Sequence, residues 1–197
     1  FASTTNRYEA NADATLKISK RWSTSLLAHY ENETKAHDGN DDGFVDIPQV
    51  EQYNVWNRWA YMGDHYVFQA GIKALSETRT SGQVNHGGTM HSGDLYKVGI
   101  DTERYEFFTK NAYIFNKEKN TNLALILSTT LHNQDATYGR KLYNVDQTNV
   151  YASLMFETEF NPQNSFSAGL SFNYDAYDQH YRLENTTDNP LKAFEKE

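Results

Sequence analysis

Ser165-Phe166-Ser167-Ala168-Gly169-Leu170-Ser171-Phe172-Asn173-Tyr174-Asp175 decides the fold class. Phe166, Ala168, Leu170, Phe172 and Tyr174 fall on one parity, and Ser165, Ser167, Gly169, Ser171, Asn173 and Asp175 on the other. A pleated strand sends successive side chains to opposite faces, so this stretch reads as a strand with one greasy and one wet side. The preceding run repeats the pattern, with Val150, Ala152, Leu154, Phe156, Thr158 and Phe160 against Tyr151, Ser153, Glu157 and Glu159. Asn161-Pro162-Gln163-Asn164 between them has the composition of a tight turn.

Working outward, the same period recurs. Leu123, Leu125, Leu127 and Leu131 alternate with Ala124, Ser128, Thr130 and His132, with Ile126 the exception on the wet face. Tyr66, Phe68, Ala70, Ile72 and Ala74 oppose Gln69, Gly71, Lys73 and Glu77. Tyr53, Val55, Trp59 and Tyr61 share a face interrupted by Asn57. Leu26, Ala28 and Tyr30 form a further apolar set, as do Ala12, Ala14, Leu16 and Ile18. Between Leu95 and Phe115 the apolar parity switches, which a bulge near Thr102 to Arg104 would explain; two strands joined by a tight turn is the rival reading. The expectation is an all-β, antiparallel up-and-down meander of about eight strands, near 4–18, 23–34, 50–61, 66–79, 95–115, 122–136, 147–160 and 165–182. Only the last residues leave room for helical spacing.

The connections alternate in length. Short ones fall at Ser19–Trp22, Met62–His65, Asn116–Thr121 and Asn161–Asn164, and long polar ones at Lys35–Gln49, Thr80–Asp94 and Thr137–Asp146. A meander with all short turns at one end and all long loops at the other is the layout of a transmembrane β-barrel, whereas a soluble sandwich has no reason to sort its loops. Trp22, Tyr61, Tyr66, Tyr113, Phe115, Phe160 and Phe166 sit beside the short turns, and Tyr30, Tyr53 and Tyr174 toward the long loops, as two interfacial girdles would. The bland alternative is that aromatics simply favour strands. Gln69, Lys73, Glu77, Lys97, Asp101, Glu103, Glu157, Glu159, Asn173 and Asp175 are then expected on the lumen side.

Composition fits. The 197 residues carry 18 basic and 26 acidic side chains, a net charge of −8, which argues against nucleic acid as a partner. Zero Cys excludes a disulfide scaffold, a Cys-ligated zinc and a catalytic Cys. Aromatics at 14% separate the chain from disordered sequences. No run of 18 apolar residues is present, so no membrane-spanning helix is expected, which leaves strands free to span. The opening Phe1-Ala2-Ser3 carries neither an initiator Met nor a leader, and a longer polypeptide is expected on both sides.

Several strings resemble the barrel of TonB-dependent outer-membrane receptors from Bacteroidetes. They are Asp42-Gly43-Phe44-Val45-Asp46-Ile47-Pro48, Tyr53-Asn54, Asn57-Arg58-Trp59, Lys110-Asn111-Ala112-Tyr113, Ala124 to Ser128 with His132, and Tyr138-Gly139. Gln147-Thr148-Asn149-Val150-Tyr151, Gly169-Leu170-Ser171-Phe172 and Asp175-Ala176-Tyr177 continue the likeness over nearly the whole chain, in order. The resemblance implies a barrel of about 22 strands closed by a plug, placed in the cell outer membrane, with import energised by the TonB complex. The chain departs from that pattern: it holds no plug, no TonB box, about eight strands, and Glu195-Lys196-Glu197 after Phe194 instead of a terminal aromatic. Residues 1–197 are therefore expected to be a middle segment of a barrel domain of roughly 550 residues. The implied partners are outer-membrane lipid, the TonB complex through the plug, a surface lipoprotein, and a small nutrient such as a corrinoid, a siderophore or other metal chelate, or a glycan. Two other readings stay open: a small complete eight-stranded outer-membrane barrel, and a soluble calcium-dependent carbohydrate-binding β-sandwich, which the mean hydropathy of −0.79 fits.

The sharpest candidate site is Asp38-Gly39-Asn40-Asp41-Asp42-Gly43-Phe44-Val45-Asp46-Ile47-Pro48-Gln49. Asp38, Asn40, Asp42 and Asp46, with the backbone carbonyl of Phe44, have the spacing that wraps oxygen ligands round calcium, and Gly43 permits the sharp turn. Gln49 stands where a bidentate Glu would close the site, so the expected affinity is weak, about 10⁻⁴ to 10⁻³ M. An Asp/Asn-rich surface turn is the alternative. His86, His91, His132 and His180 lack ligand spacing, and Glu157 with Glu159 reads as lumen lining rather than paired catalytic carboxylates. No nucleophile motif or phosphate loop is found, so no enzyme is expected. Tyr138, Tyr143, Arg79, Arg140 and Tyr177, at the loop edges, are generic candidates for ligand contact.

Overall fold

The computed structural model describes residues 6–84 and 95–183, together with the backbone of 192–196. Nine strands follow in chain order: β1 (Arg7–Lys17), β2 (Trp22–Glu33), β3 (Gln49–Met62), β4 (Tyr66–Gly82), β5 (Lys97–Asn116), β6 (Thr121–Tyr138), β7 (Lys141–Asn161), β8 (Asn164–Leu183) and the short β9 (Lys192–Lys196). All lie in one antiparallel sheet in the order of the sequence, each strand paired with its chain neighbours. No helix occurs among the described residues, and the C-terminal residues left open to helical spacing contain β9.

The registers sort the side chains into two faces. Polar-face residues of β3, such as Gln52, Asn54, Trp56 and Arg58, are half-buried, while the alternating Tyr53, Val55 and Trp59 are exposed. The sheet therefore curls round its polar face and shows its apolar face outward. Leu170 is 77% exposed and Ile72 59%, whereas among the described residues the buried apolar ones are Ala136 and Val145. No large side chain among the described residues is fully buried. The accessible surface is 13714 Å², about 4,000 Å² more than expected for a compact monomer of this mass.

Three expectations are corrected. Thr137–Asp146 is not a long loop: β6 and β7 run on to a two-residue turn, Gly139-Arg140, with Tyr138 paired to Lys141. Gly139 takes a φ of 62° there, and a side chain at that position would meet the Tyr96 ring. No bulge interrupts 102–104. β5 is one strand, and its register shift falls between Ile114 and Asn116. The parity switch thus has another cause: Val98 and Ile100 lie on the inner face with Thr102, Glu106 and Phe108. Lys97, Asp101 and Glu103 consequently share the outward parity, not the lumen side.

The register also fixes the inclination of the strands. Trp22, the first residue of β2, pairs with Tyr61, and the row continues through Phe68, Asn111, Leu125 and Leu154 to Leu170. Leu170 lies six residues past Asn164, the start of β8, so the row climbs six residues in six strand steps. One residue of about 3.3 Å per strand spacing of about 4.8 Å inclines the strands by roughly 35° to the normal of the line joining the short turns. Closed barrels tilt their strands by that much.

On the inner face Gly71 makes room for an aromatic ring: a Cβ there would lie 2.5 Å from Phe108 Cε1 and 3.2 Å from the Asn57 carbonyl. Gly71→Ala should destabilise the protein by about 1–3 kcal/mol. Phe108→Ala should recover part of that loss, so a denaturant double-mutant cycle is expected to give a coupling of at least about 0.5 kcal/mol. Additive single effects would show that the ring does not depend on the missing side chain.

Candidate functional site

The segment 34–48 between β2 and β3 folds back on the rim of the sheet. His37 and Ile47 form an antiparallel bridge, as do Phe44 and Gln83. Val45 N–H donates to the Gly82 carbonyl and Val84 N–H to the Gly43 carbonyl, each at 2.8 Å. Gln83 N–H then donates to the Tyr96 carbonyl, and Tyr96 N–H to Gln83 Oε1. The loop is thereby tied through the end of β4 to the start of β5.

Within it, the five sequence-predicted residues occupy one turn. Asp38 accepts from the backbone N–H of Asp42 (3.2 Å) and of Gly43 (2.8 Å). Asp42 accepts from Phe44 N–H at 2.9 Å and from the Asn40 amide at 3.0 Å, and Asp46 accepts from Gly39 N–H at 2.7 Å. Gly43, at φ 84°, supplies the left-handed step. Gln49 is engaged at the loop's base, donating to the Thr34 carbonyl. The carboxylates order the loop by capping its N–H groups, and among the described residues no three His, Asp or Glu side chains converge on a point that could hold a metal.

The inner face carries charges in paired arrangements. Toward the rim, Arg7 meets Glu9 at 2.5 Å and Glu31 at 3.0 Å. Arg79 lies on Glu77 at 2.7 Å, and the Gln52 amide donates to the same carboxylate at 2.6 Å. The bonds from Glu77 hold the Arg79 guanidinium above its ordinary pKa. Toward β8 the wall becomes amide-rich round one carboxylate, Asp175, which accepts from Asn149 at 2.9 Å, Asn173 at 3.0 Å and Gln147 at 3.2 Å. Gln147 donates to Tyr177 Oη at 2.9 Å, Asn149 to Asn173 at 3.0 Å, and Tyr143 to Gln179 at 2.7 Å.

The other candidates scatter. His132 faces inward with its Nδ1 buried and unpartnered, and His180 lies on the outward parity near the rim, 3.4 Å from Asp178. Glu157 and Glu159 line the inner face at the opposite, short-turn end, where Glu159 accepts from the Asn120 amide at 2.6 Å. Arg140 sits in the tight turn and Tyr138 beside it. His86 and His91 lie outside the described residues. No catalytic grouping forms among these residues.

Outward, the apolar parity runs for nine to eleven residues near the short-turn end of each strand: 8–16, 22–30, 53–61, 66–74, 105–115, 123–131, 150–160 and 166–174. Several Thr and Asn side chains inside these runs are paired. Thr24 donates to the Arg58 carbonyl, and Asn57 donates to Thr24 and accepts from the Trp59 indole at 2.8 Å. Asn111 donates to Thr109 and accepts from the Tyr66 hydroxyl at 2.6 Å. Thr129 donates to the Asn149 carbonyl, and Thr158 pairs with Thr121. Aromatics cluster at both limits: Trp22, Tyr61, Tyr66 and Phe68 with centroids 5.1–6.5 Å apart below, and Tyr30 with Tyr53 at 5.0 Å above. Beyond the runs the same parity turns to Glu51, Asp101, Glu103, Asp135, Asp146 and Asp178.

Comparison of the chain with protein-family models, with curated proteins and with solved structures returns no match.

The loop geometry makes a direct prediction. Asp38→Ala removes the acceptor of two backbone donors, which is worth about 1–1.5 kcal/mol per bond. Amide exchange at Asp42 and Gly43 should accelerate roughly tenfold, while exchange in β3 stays unchanged. Unaltered exchange at both would mean that Asp38 does not hold the turn.

Proposed function

We propose that this chain is a segment of a transmembrane β-barrel in the cell outer membrane, and that the barrel belongs to a TonB-dependent transporter importing a small nutrient. The observation that carries the membrane reading is the way the apolar belt crosses the hydrogen-bond rows. The row Tyr30, Tyr53, Ser76, Glu103, Asn133, Asp146, Asp178 begins aromatic and ends acidic. The belt therefore follows the line of the short turns, not the rows, and keeps nine to eleven residues on every strand. Nine residues inclined at roughly 35° rise about 22 Å, near the height of the lipid-facing band of outer-membrane barrels. A flat water interface has no reason to cut a tilted sheet in this way; a bilayer does. Paired polar groups within the belt support the same reading, because hydrocarbon offers them no partner.

The edges support a larger assembly. β1 has one neighbour, and of β8 only Asp178–Arg182 pairs with β9. Open, apolar edges associate with whatever strand they meet, so further strands of the same polypeptide are proposed to close the barrel. This disfavours a complete eight-stranded barrel, and the single layer without an internal core disfavours the sandwich. The TonB-dependent part rests on the resemblance of the quoted strings, and with it come the plug, the TonB complex, a surface lipoprotein and a corrinoid, metal chelate or glycan as cargo. Transport rather than catalysis is the proposed role. Calcium at Asp38, Asn40, Asp42, Phe44 and Asp46 is a separate proposal: Asp42 and Asp46 would have to turn toward a common ion, which fits weak binding. Titration should order the loop near 10⁻⁴ to 10⁻³ M calcium if it holds, and leave loop exchange unchanged if it fails.

Fractionation tests the membrane reading. An antibody to residues 80–94 should find, in outer membranes, a band several times heavier than 22.7 kDa. A band near 22.7 kDa in that fraction would mean a small barrel, and a soluble band would overturn the membrane reading. Leu125→Arg, inside the belt, should cost about 2–4 kcal/mol and deplete the inserted protein, while Asp146→Arg, above it, should be tolerated.

A further inference from the structure

The inner face of β3 to β5 carries a charge pattern opposite to the rest of the chain. The chain is −8 overall, yet Arg58, Lys73, Arg104 and Lys110 share this patch with a single carboxylate, Glu106. Glu106 is taken by both Arg104 at 2.7 Å and Lys73 at 3.4 Å. Arg58 and Lys110 enter no ion pair among the described residues. Each instead lies over the aromatic ring two residues before it on the same face: the Arg58 guanidinium 5.3 Å from the centre of Trp56, and the Lys110 ammonium 6.0 Å from that of Phe108. The row Arg58, Gly71, Phe108 joins the two pairs, and the Phe108 ring lies over Gly71, where no side chain blocks it.

A cavity of about 680 Å³ opens on the β3 side of this patch, with Trp56, Arg58 and Lys73 on one wall and Asp13, Leu27 and His29 on the other. A half-buried guanidinium with five donors and no carboxylate partner has given up hydration without a full return. An anion supplied from outside would restore it, and charge-assisted bonds to Arg are among the stronger polar contacts. The half-buried Trp56 ring, which lines the same cavity, favours a planar apolar body beside that charge. We propose that the Trp56–Arg58–Lys73 wall of this cavity is a binding site for a small planar anion, an aromatic carboxylate or its phosphate or sulfonate equivalent. The site rests on the face assignment and not on the membrane reading, so a protein found soluble that still binds such a ligand would sink the barrel and leave the site.

The test uses the full-length purified protein and three probes. 2-Naphthoate should bind, followed by calorimetry. 2-Naphthol, with the same ring and no carboxylate, should bind at least about tenfold more weakly, and so should acetate, which has the carboxylate and no ring. Arg58→Gln should bring naphthoate down to the level of naphthol, with an unchanged β-sheet circular dichroism spectrum. Raising salt from about 0.05 to about 0.5 M in the wild type should weaken naphthoate severalfold and leave naphthol unmoved, a readout that needs no variant. Equal affinity for naphthoate and naphthol, salt-independent binding, or no naphthoate binding at millimolar concentration would each overturn the proposal.

Discussion

Hydrogen-bond ladders between neighbouring strands carry this structure, because there is almost no apolar interior to do so. With Ala136 and Val145 the buried apolar residues, little hydrophobic packing opposes the conformational entropy that folding removes. Each of β1 to β8 is paired along most of its length with one or two neighbours, so backbone donors and acceptors satisfy one another laterally. Such a ladder is worth little in water, where each bond replaces one to solvent, and much more where solvent is missing. Strands whose outward side chains are apolar gain most from such a ladder wherever water is scarce.

From that constraint the rest follows. The outward face is apolar for nine to eleven residues on each strand and reverts to Asp, Glu and Asn beyond. The inner face is free to hold charge, and ion pairs such as Arg7–Glu31 and Arg79–Glu77 brace it toward the rim. The loop at 34–48 needs no core of its own, since Asp38 and Asp42 cap its N–H groups and β4 supplies a neighbour.

Period two was legible wherever the belt imposes it, as from Ser165 to Asp175, because one face must be uniformly apolar there. It failed above the belt, where nothing enforces a parity. Val98 and Ile100 turn inward while Asp101 and Glu103 turn outward, which in a bare sequence imitates a bulge. Polar composition similarly disguised 137–146 as a loop, although Gly139 alone, by accepting a positive φ, lets two strands meet in a two-residue turn. The spacing of Asp38, Asn40, Asp42 and Asp46 marked a real turn, but spacing does not say that the oxygens point at each other. The patch round Arg58 carries no sequence signal at all: Trp56, Lys73, Phe108 and Lys110 come together only through the register of three strands.

The most direct test of the belt is a nitroxide scan along β8, from Asn164 to Arg182, in the protein reconstituted in lipid vesicles; the segment contains no Cys, so each label is unique within it. The account predicts oxygen accessibility peaking at 166, 168, 170, 172 and 174, and a change at 178 and 180 to accessibility toward a water-soluble nickel chelate. Nickel access at Leu170 equal to that at Asp178, or no period of two between them, would contradict it.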